Sequence, residues 1–183
     1  MNVVETALPG VLLLEPRRFS DARGDFFELW KADRYVAAGI AGPFVQDNVS
    51  HSVKGTLRGL HFQEPEAQGK LVQALSGTVY DVVVDVRRGS PTYGRSLGVV
   101  LDGETARQLW IPAGYAHGFY VTSAHATFLY KCTAAYSPTS ERSVRWDDPA
   151  LGIEWPFDGA PLLSPKDAVA PLLADAAILP VYA

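Results

Sequence analysis

The chain has 183 residues, 48% of them hydrophobic and 20% charged, enough for one domain with a sizeable core. Its net charge of −4 argues against nucleic acid or an anionic membrane as a partner, so any anion must be held by a local cluster of Arg and Lys. A single cysteine, Cys132, rules out an internal disulfide and fits a reducing cytosol; it reads as a small core residue without metal-ligand spacing around it. The longest early apolar run, residues 11–14, is too short for a signal sequence or a membrane span, so the expectation is a cytoplasmic protein with residues 1–183 as one domain.

In chain order the pattern is mostly β, with glycine and proline punctuating short runs rich in Val, Tyr, Phe and Thr. Strands are expected at 10–16 and 26–30, then a helix at 32–38. The stretch "TLRGLHFQ", residues 56–63, has strand-like apolar positions at Thr56, Leu57, Leu60 and Phe62, with Arg58 and His61 among them. In a strand of period two, positions 58 and 61 point to opposite faces unless Gly59 bends or bulges the chain. Burying either group unpaired is costly, so the pair needs partners elsewhere in the chain or a ligand.

A strand at 70–75 precedes the clearest one, "TVYDVVVDVR" at 78–87, whose even positions Tyr80, Val82, Val84 and Val86 are expected to face the core. Its other face alternates Val79, Asp81, Val83 and Asp85, which suits neither solvent nor core. One of the two aspartates is therefore expected to hold an active-site histidine or arginine; the plainer alternative is an ion pair with a surface arginine. Further strands are expected at 96–101, 108–111, 117–120, 127–134 and 142–145, separated by Gly- or Pro-bearing turns. A second helix starts near Ser164, where "SPKD" places Ser164 at the N-cap, Pro165 at N1 and Asp167 at N3. Many short strands and two helices argue for a sandwich or barrel, with spacing that suits a jelly roll.

Pro112-x-Gly114-x-x-His117 is similar to the second motif of the cupin superfamily, whose fold is a small jelly-roll barrel. Metal-binding cupins carry a His-x-His pair and a Glu in the first motif. Here the corresponding "LRGLHFQ" has His61 alone, with Gln63 where a second histidine would stand. His61 and His117 make only two ligands, and His51 and His125 lack the spacing, so no catalytic metal is expected. The segments "DARGDFFE", "FVQDNVSHS", "LRGLHFQ", "QGKLVQ", "AHGF", "FLYKCTAAYSP" and "LSPKD" resemble, in order, the dTDP-4-dehydrorhamnose 3,5-epimerase family of metal-free cupins.

That resemblance implies an all-β, cupin-type jelly-roll β-sandwich or barrel with a few short helices, and no cofactor. It implies a dTDP-4-keto-6-deoxyhexose substrate and a homodimer that exchanges N-terminal strands, so that Arg23 serves the neighbouring subunit's site. Carried over by residue, the catalytic base falls on His61, its orienting carboxylate on Asp167, the proton donor on Tyr130, and Lys70 lies beside the sugar keto group. Nucleotide contacts fall on Arg23, Glu28, Gln46, Asp47, Asn48, Arg58, His117, Glu141 and Lys166, with Tyr136 stacking on thymine.

The chemistry asks for these residue types. The C3 and C5 hydrogens of such a sugar are α to a ketone; a base removes them, and an acid on the opposite face returns a proton. An imidazole titrates near neutrality, a phenol stays protonated there, and a lysine cation stabilises a developing oxyanion. Each residue has a plainer role too: His61 as a satisfied core histidine, Asp167 as a helix cap, Tyr130 as a strand aromatic, Arg23 and Arg58 as ion-pair members. The rival classes are a metal-dependent cupin, a sugar-binding cupin without activity, and an epimerase of C3 alone or C5 alone.

Overall fold

The computed structural model describes residues 1–40 and 42–182. A six-stranded antiparallel sheet is ordered β1 (Asn2–Glu5), β2 (Leu12–Glu15), β10 (Gln108–Ile111), β7 (Lys70–Ser76), β12 (His125–Cys132), β5 (Gln46–Val53). A five-stranded sheet is ordered β13 (Glu141–Ser143), β6 (Leu57–Gln63), β11 (Tyr115–Val121), β8 (Thr78–Asp85), β9 (Ser96–Asp102). The two sheets do not join into a barrel. A separate hairpin, β3 (Arg18–Asp21) with β4 (Gly24–Phe27), belongs to neither. Helix α1 spans Ala32–Ala37 and α2 spans Pro165–Ala168, where Ser164 Oγ caps the Asp167 amide as the sequence suggests.

Apolar side chains of both sheets meet in a shared interior that includes Val72, Val79, Val83, Leu109, Phe119 and Phe128. A second core lies on the far side of the five-stranded sheet, where Val82, Val84 and Val86 pack beneath Leu151, Leu173, Ala176 and Leu179 of the C-terminal segment. A third, with Leu71 and Trp110, lies under Tyr35 of α1. Strand β8 is thus buried on both faces. Its even residues occupy the secondary core, and its odd residues, with Asp81 and Asp85, line the side shared with the other core strands. The even face meets a core as expected, and that core is closed by the C-terminal segment.

Strands β1, β3 and β5 lie outside the expected set, and β4 ends earlier than expected, at Phe27. The pattern of β5 is inverted: Val49 and Val53 are exposed, while Ser52 is buried and Ser50 half-buried. Polarity that reads as a loop is here a strand whose inward face is polar.

Gly59 resolves the register of β6. His117 pairs with His61 and Phe119 with Arg58, so two residues of β6 stand opposite Gly118 alone, a bulge. Gly59 has φ +124°, and a Cβ there would lie 2.5 Å from Gly118 Cα and 2.8 Å from the His117 carbonyl. The extra residue brings Arg58 and His61, three positions apart, to one cavity.

Candidate active site

A cavity of about 510 Å³ opens between the two sheets. One wall carries Arg58 and His61 from β6 and His117 from β11; the other carries Asn48, Lys70, Tyr130 and Cys132 from β5, β7 and β12. Tyr136, Glu141, Lys166 and Asp167 complete the lining.

His61 Nε2 stands 2.5 Å from Asp167 Oδ1, with the two side chains 26% and 2% exposed. Burial pushes the Asp167 carboxyl up, but the hydrogen bonds from His61 and Ser164 outweigh it and hold it below the usual carboxylate range. An ionised Asp167 fixes the hydrogen on Nε2 and leaves Nδ1 as the basic nitrogen. Capping accounts for the Asp167 backbone amide, which donates to Ser164 Oγ at 3.2 Å, while its carboxylate goes to His61.

Lys70 is buried, and its Nζ donates to the His61 carbonyl at 3.2 Å. Desolvation pushes its ammonium pKa down, against the fields of Cys132, Asp81 and Glu141. Burial drives the Tyr130 phenol well above its ordinary value, so it is a proton donor at neutral pH. The Cys132 thiol is also pushed up by burial; it is buried as expected and also lines the cavity.

The alternative between the two strand aspartates falls to Asp81, whose Oδ2 lies 2.8 Å from His117 Nε2. Asp85 instead takes Arg87 at 2.7 Å and the hydroxyls of Ser90 and Thr92 at 2.6 Å each. At the mouth, Lys166 Nζ meets Glu141 Oε1 at 2.5 Å, and the Tyr136 hydroxyl donates to Glu141 Oε2 at 3.2 Å. Gln46 does not line the cavity but accepts the Tyr136 amide at 2.8 Å and donates to Asn48 at 2.9 Å.

Besides Gln46, three expected site residues do not line this cavity. Asp47 pairs with Lys131 at 2.8 Å, and Glu28 with Arg34 at 2.9 Å. Arg23 sits on the hairpin turn, 90% exposed and 2.6 Å from Asp21. Sequence reasoning missed Gln63, whose amide donates to the carbonyls of Glu66 and Ala135 and accepts the Ser137 amide, bracing the loop that carries Tyr136. Among the described residues, no group of three or more His, Cys, Asp or Glu side chains is arranged to hold a metal ion. No helix among them is long and apolar enough to cross a membrane.

A β-sandwich that sets a carboxylate-backed imidazole across from a phenol and a buried ammonium has the equipment of an acid–base enzyme acting on carbon next to a carbonyl. The family model described as dTDP-4-dehydrorhamnose 3,5-epimerase matches residues 5–175, and the chain belongs to that family of carbohydrate epimerases. A dTDP-4-dehydrorhamnose 3,5-epimerase of Salmonella typhimurium is 56% identical over 178 residues, covering 96% of this chain and 97% of the relative. The crystal structure of a Legionella pneumophila dTDP-6-deoxy-D-glucose-3,5-epimerase in complex with dTDP-4-keto-L-rhamnose superposes with a TM-score of 0.96 at 52% identity, covering 100% of this chain and 98% of the other. A 3'-monoepimerase of Streptomyces bikiniensis in complex with dTDP-quinovose gives 0.92 at 41% identity, covering 97% and 92%.

Proposed function

We propose that this chain epimerises dTDP-4-dehydro-6-deoxy-D-glucose at C3 and C5, giving dTDP-4-dehydro-L-rhamnose. The observation that carries the reading is the placement of His61 with Asp167 on one wall and Tyr130 with Lys70 on the facing one. His61 Nδ1 takes the proton from the carbon beside the ketone, and the C–H electron pair moves into the enolate, whose charge gathers on O4. Lys70 balances that charge. Tyr130 then gives its proton to the opposite face of the same carbon, the electron pair of the O–H bond staying on the phenol oxygen, so the centre is inverted. Arg58, His117 and Lys166 hold the diphosphate, and Gln46, Asn48 and Tyr136 read the thymidine.

The working unit is a homodimer. In support, the detached β3–β4 hairpin presents Phe19 at 51% and Phe26 at 73% exposure and carries Arg23, while β5 offers a free sheet edge. Docked on a second copy, such a hairpin would bring Arg23 and Glu28 to the neighbour's cavity. Sedimentation of the free protein tests this, with a monomeric species overturning it. The single cysteine supports a cytoplasmic location.

NMR of the product formed in deuterated water tests the reaction: deuterium and inversion at both C3 and C5 are expected. The likeness to a 3'-monoepimerase favours one specific alternative, inversion at C3 alone, and deuterium confined to that carbon would select it. A sugar left without deuterium would overturn both.

A further inference from the structure

Strand β5 is the edge of the six-stranded sheet, and its even-numbered side chains form a polar row on the cavity side. Ser52 is buried, and its Oγ accepts a hydrogen bond from Arg58 Nε at 3.2 Å. Ser50 Oγ lies 3.4 Å from the Tyr130 hydroxyl. Each serine therefore touches one member of the proposed machinery from behind, at a different point of the reaction.

For Arg58 the matter is orientation. An arginine has many rotamers, and holding an anion freezes one of them. A bond to Nε made within the fold removes part of that entropic cost and fixes the guanidinium plane. Both Nη groups stay unpaired among the described residues, ready to take two oxygens of a diphosphate as a fork.

For Tyr130 the matter is charge. A phenol that protonates a carbanion is left as phenolate in a desolvated cavity. A hydroxyl donating to that oxygen stabilises the anion and leaves the phenol hydrogen free for the sugar ring.

We propose that Ser52 and Ser50 are positioning residues that divide this labour, Ser52 acting through Arg58 on nucleotide binding and Ser50 through Tyr130 on proton return. The proposal rests on the epimerase reading above and adds residues to it.

The test uses the full chain and dTDP, with exchange and inversion followed by NMR in deuterated water. Ser52→Ala is expected to raise the Kd for dTDP roughly ten-fold and KM in parallel, with a much smaller change in kcat. Ser52→Thr, which keeps the hydroxyl, is expected to recover most of that affinity. Ser50→Ala is expected to leave the dTDP Kd within about twofold, while net inversion slows several-fold more than deuterium entry. Melting temperatures show whether each variant is folded. Wild-type dTDP affinity in Ser52→Ala, or equal slowing of exchange and inversion in Ser50→Ala, would overturn the proposal. So would a common loss of binding and turnover in both variants alongside lowered melting temperatures, which marks a loosened strand. A wild-type control that neither binds dTDP nor exchanges deuterium would overturn the functional reading instead, so the two failures are told apart in one experiment.

Discussion

Replacing Gly59 by alanine tests whether the bulge in β6 is what puts His61 and Arg58, the proposed base and anion-binding arginine, in one cavity. The new Cβ would stand 2.5 Å from Gly118 Cα, whereas non-bonded carbons settle at about 3.5–4.0 Å, so β6 and β11 must part by about 1 Å. The φ of +124° adds backbone strain for any residue with a side chain. Strain and displacement together predict a stability loss of about 2–4 kcal/mol. A shift of about 1 Å in a catalytic group costs about 100-fold in rate, and both His61 and His117 lie beside the moved backbone. Gly24 supplies the control: its φ is +122°, but nothing lies within 4 Å of its added Cβ, so Gly24→Ala carries the strain without the clash. Urea unfolding and kcat/KM for deuterium exchange measure both effects. If Gly59→Ala loses no more stability than Gly24→Ala and keeps kcat/KM within threefold, the bulge does not position the site.

Four further outcomes are expected. His61→Ala abolishes both exchange and inversion, with a rate loss toward the upper part of about 10²–10⁴-fold, while Tyr130→Phe loses inversion more steeply than exchange; equal losses in Tyr130→Phe would mean the phenol acts before the enolate forms. At about 100 times its Kd, dTDP stabilises the fold by about 2.7 kcal/mol, and ATP or NAD at equal concentration does so much less; equal thermal shifts would refute thymidine recognition. Enzyme treated with EDTA retains its turnover, and loss restored by one added metal would contradict this. Asp85, held at a pKa of about 2 by Arg87, Ser90 and Thr92 against the cost of burial, is ionised in the fold well below its ordinary 3.8. Its contribution of about 2 kcal/mol is therefore present above pH 4 and lost as pH falls from about 4 to 2, a loss that Asp85→Asn should not show in acid unfolding curves.

Legibility in the sequence followed the physics of each element. Strands such as β7, β8 and β9 are visible as short runs rich in Val, Leu and Tyr set between glycines and turn residues. β5 is hidden because its row Gln46, Asn48, Ser50 and Ser52 is polar, with Asn48 lining the cavity and the others next to Tyr136, Tyr130 and Arg58, which reverses the usual pattern. The helix cap at Ser164 is a local rule and is found where the sequence places it. Which aspartate of β8 supports a cavity histidine depends on the partner strand, since Asp81 stands directly across from Phe119 and reaches His117, while Asp85 lies beyond the cavity with Arg87. The even positions of β8 report the burial of Val82 and Val84, but not that a C-terminal segment with little regular structure is what covers them. The serines on β5 carry a signal only in retrospect, as hydroxyls repeated every second residue beside exposed valines.

His61 and Tyr130, the proposed base and acid, ride on different sheets, so the interval between them is set by the thickness of the sandwich and not by the reach of a loop. Stacked sheets lie about 10 Å apart, and the side chains of both walls reduce that to the cavity between them. Phe119 of β11 and Phe128 of β12 bridge the two sheets beside it, with ring centroids 4.6 Å apart. A ring flattened at two adjacent trigonal carbons, one of them bearing an anionic oxygen, is what the proposed enolate presents to both walls. Flat, anionic six-membered rings linked to dTDP are therefore the inhibitors this architecture is shaped to hold, and their selectivity would come from rigidity in the protein and planarity in the ligand.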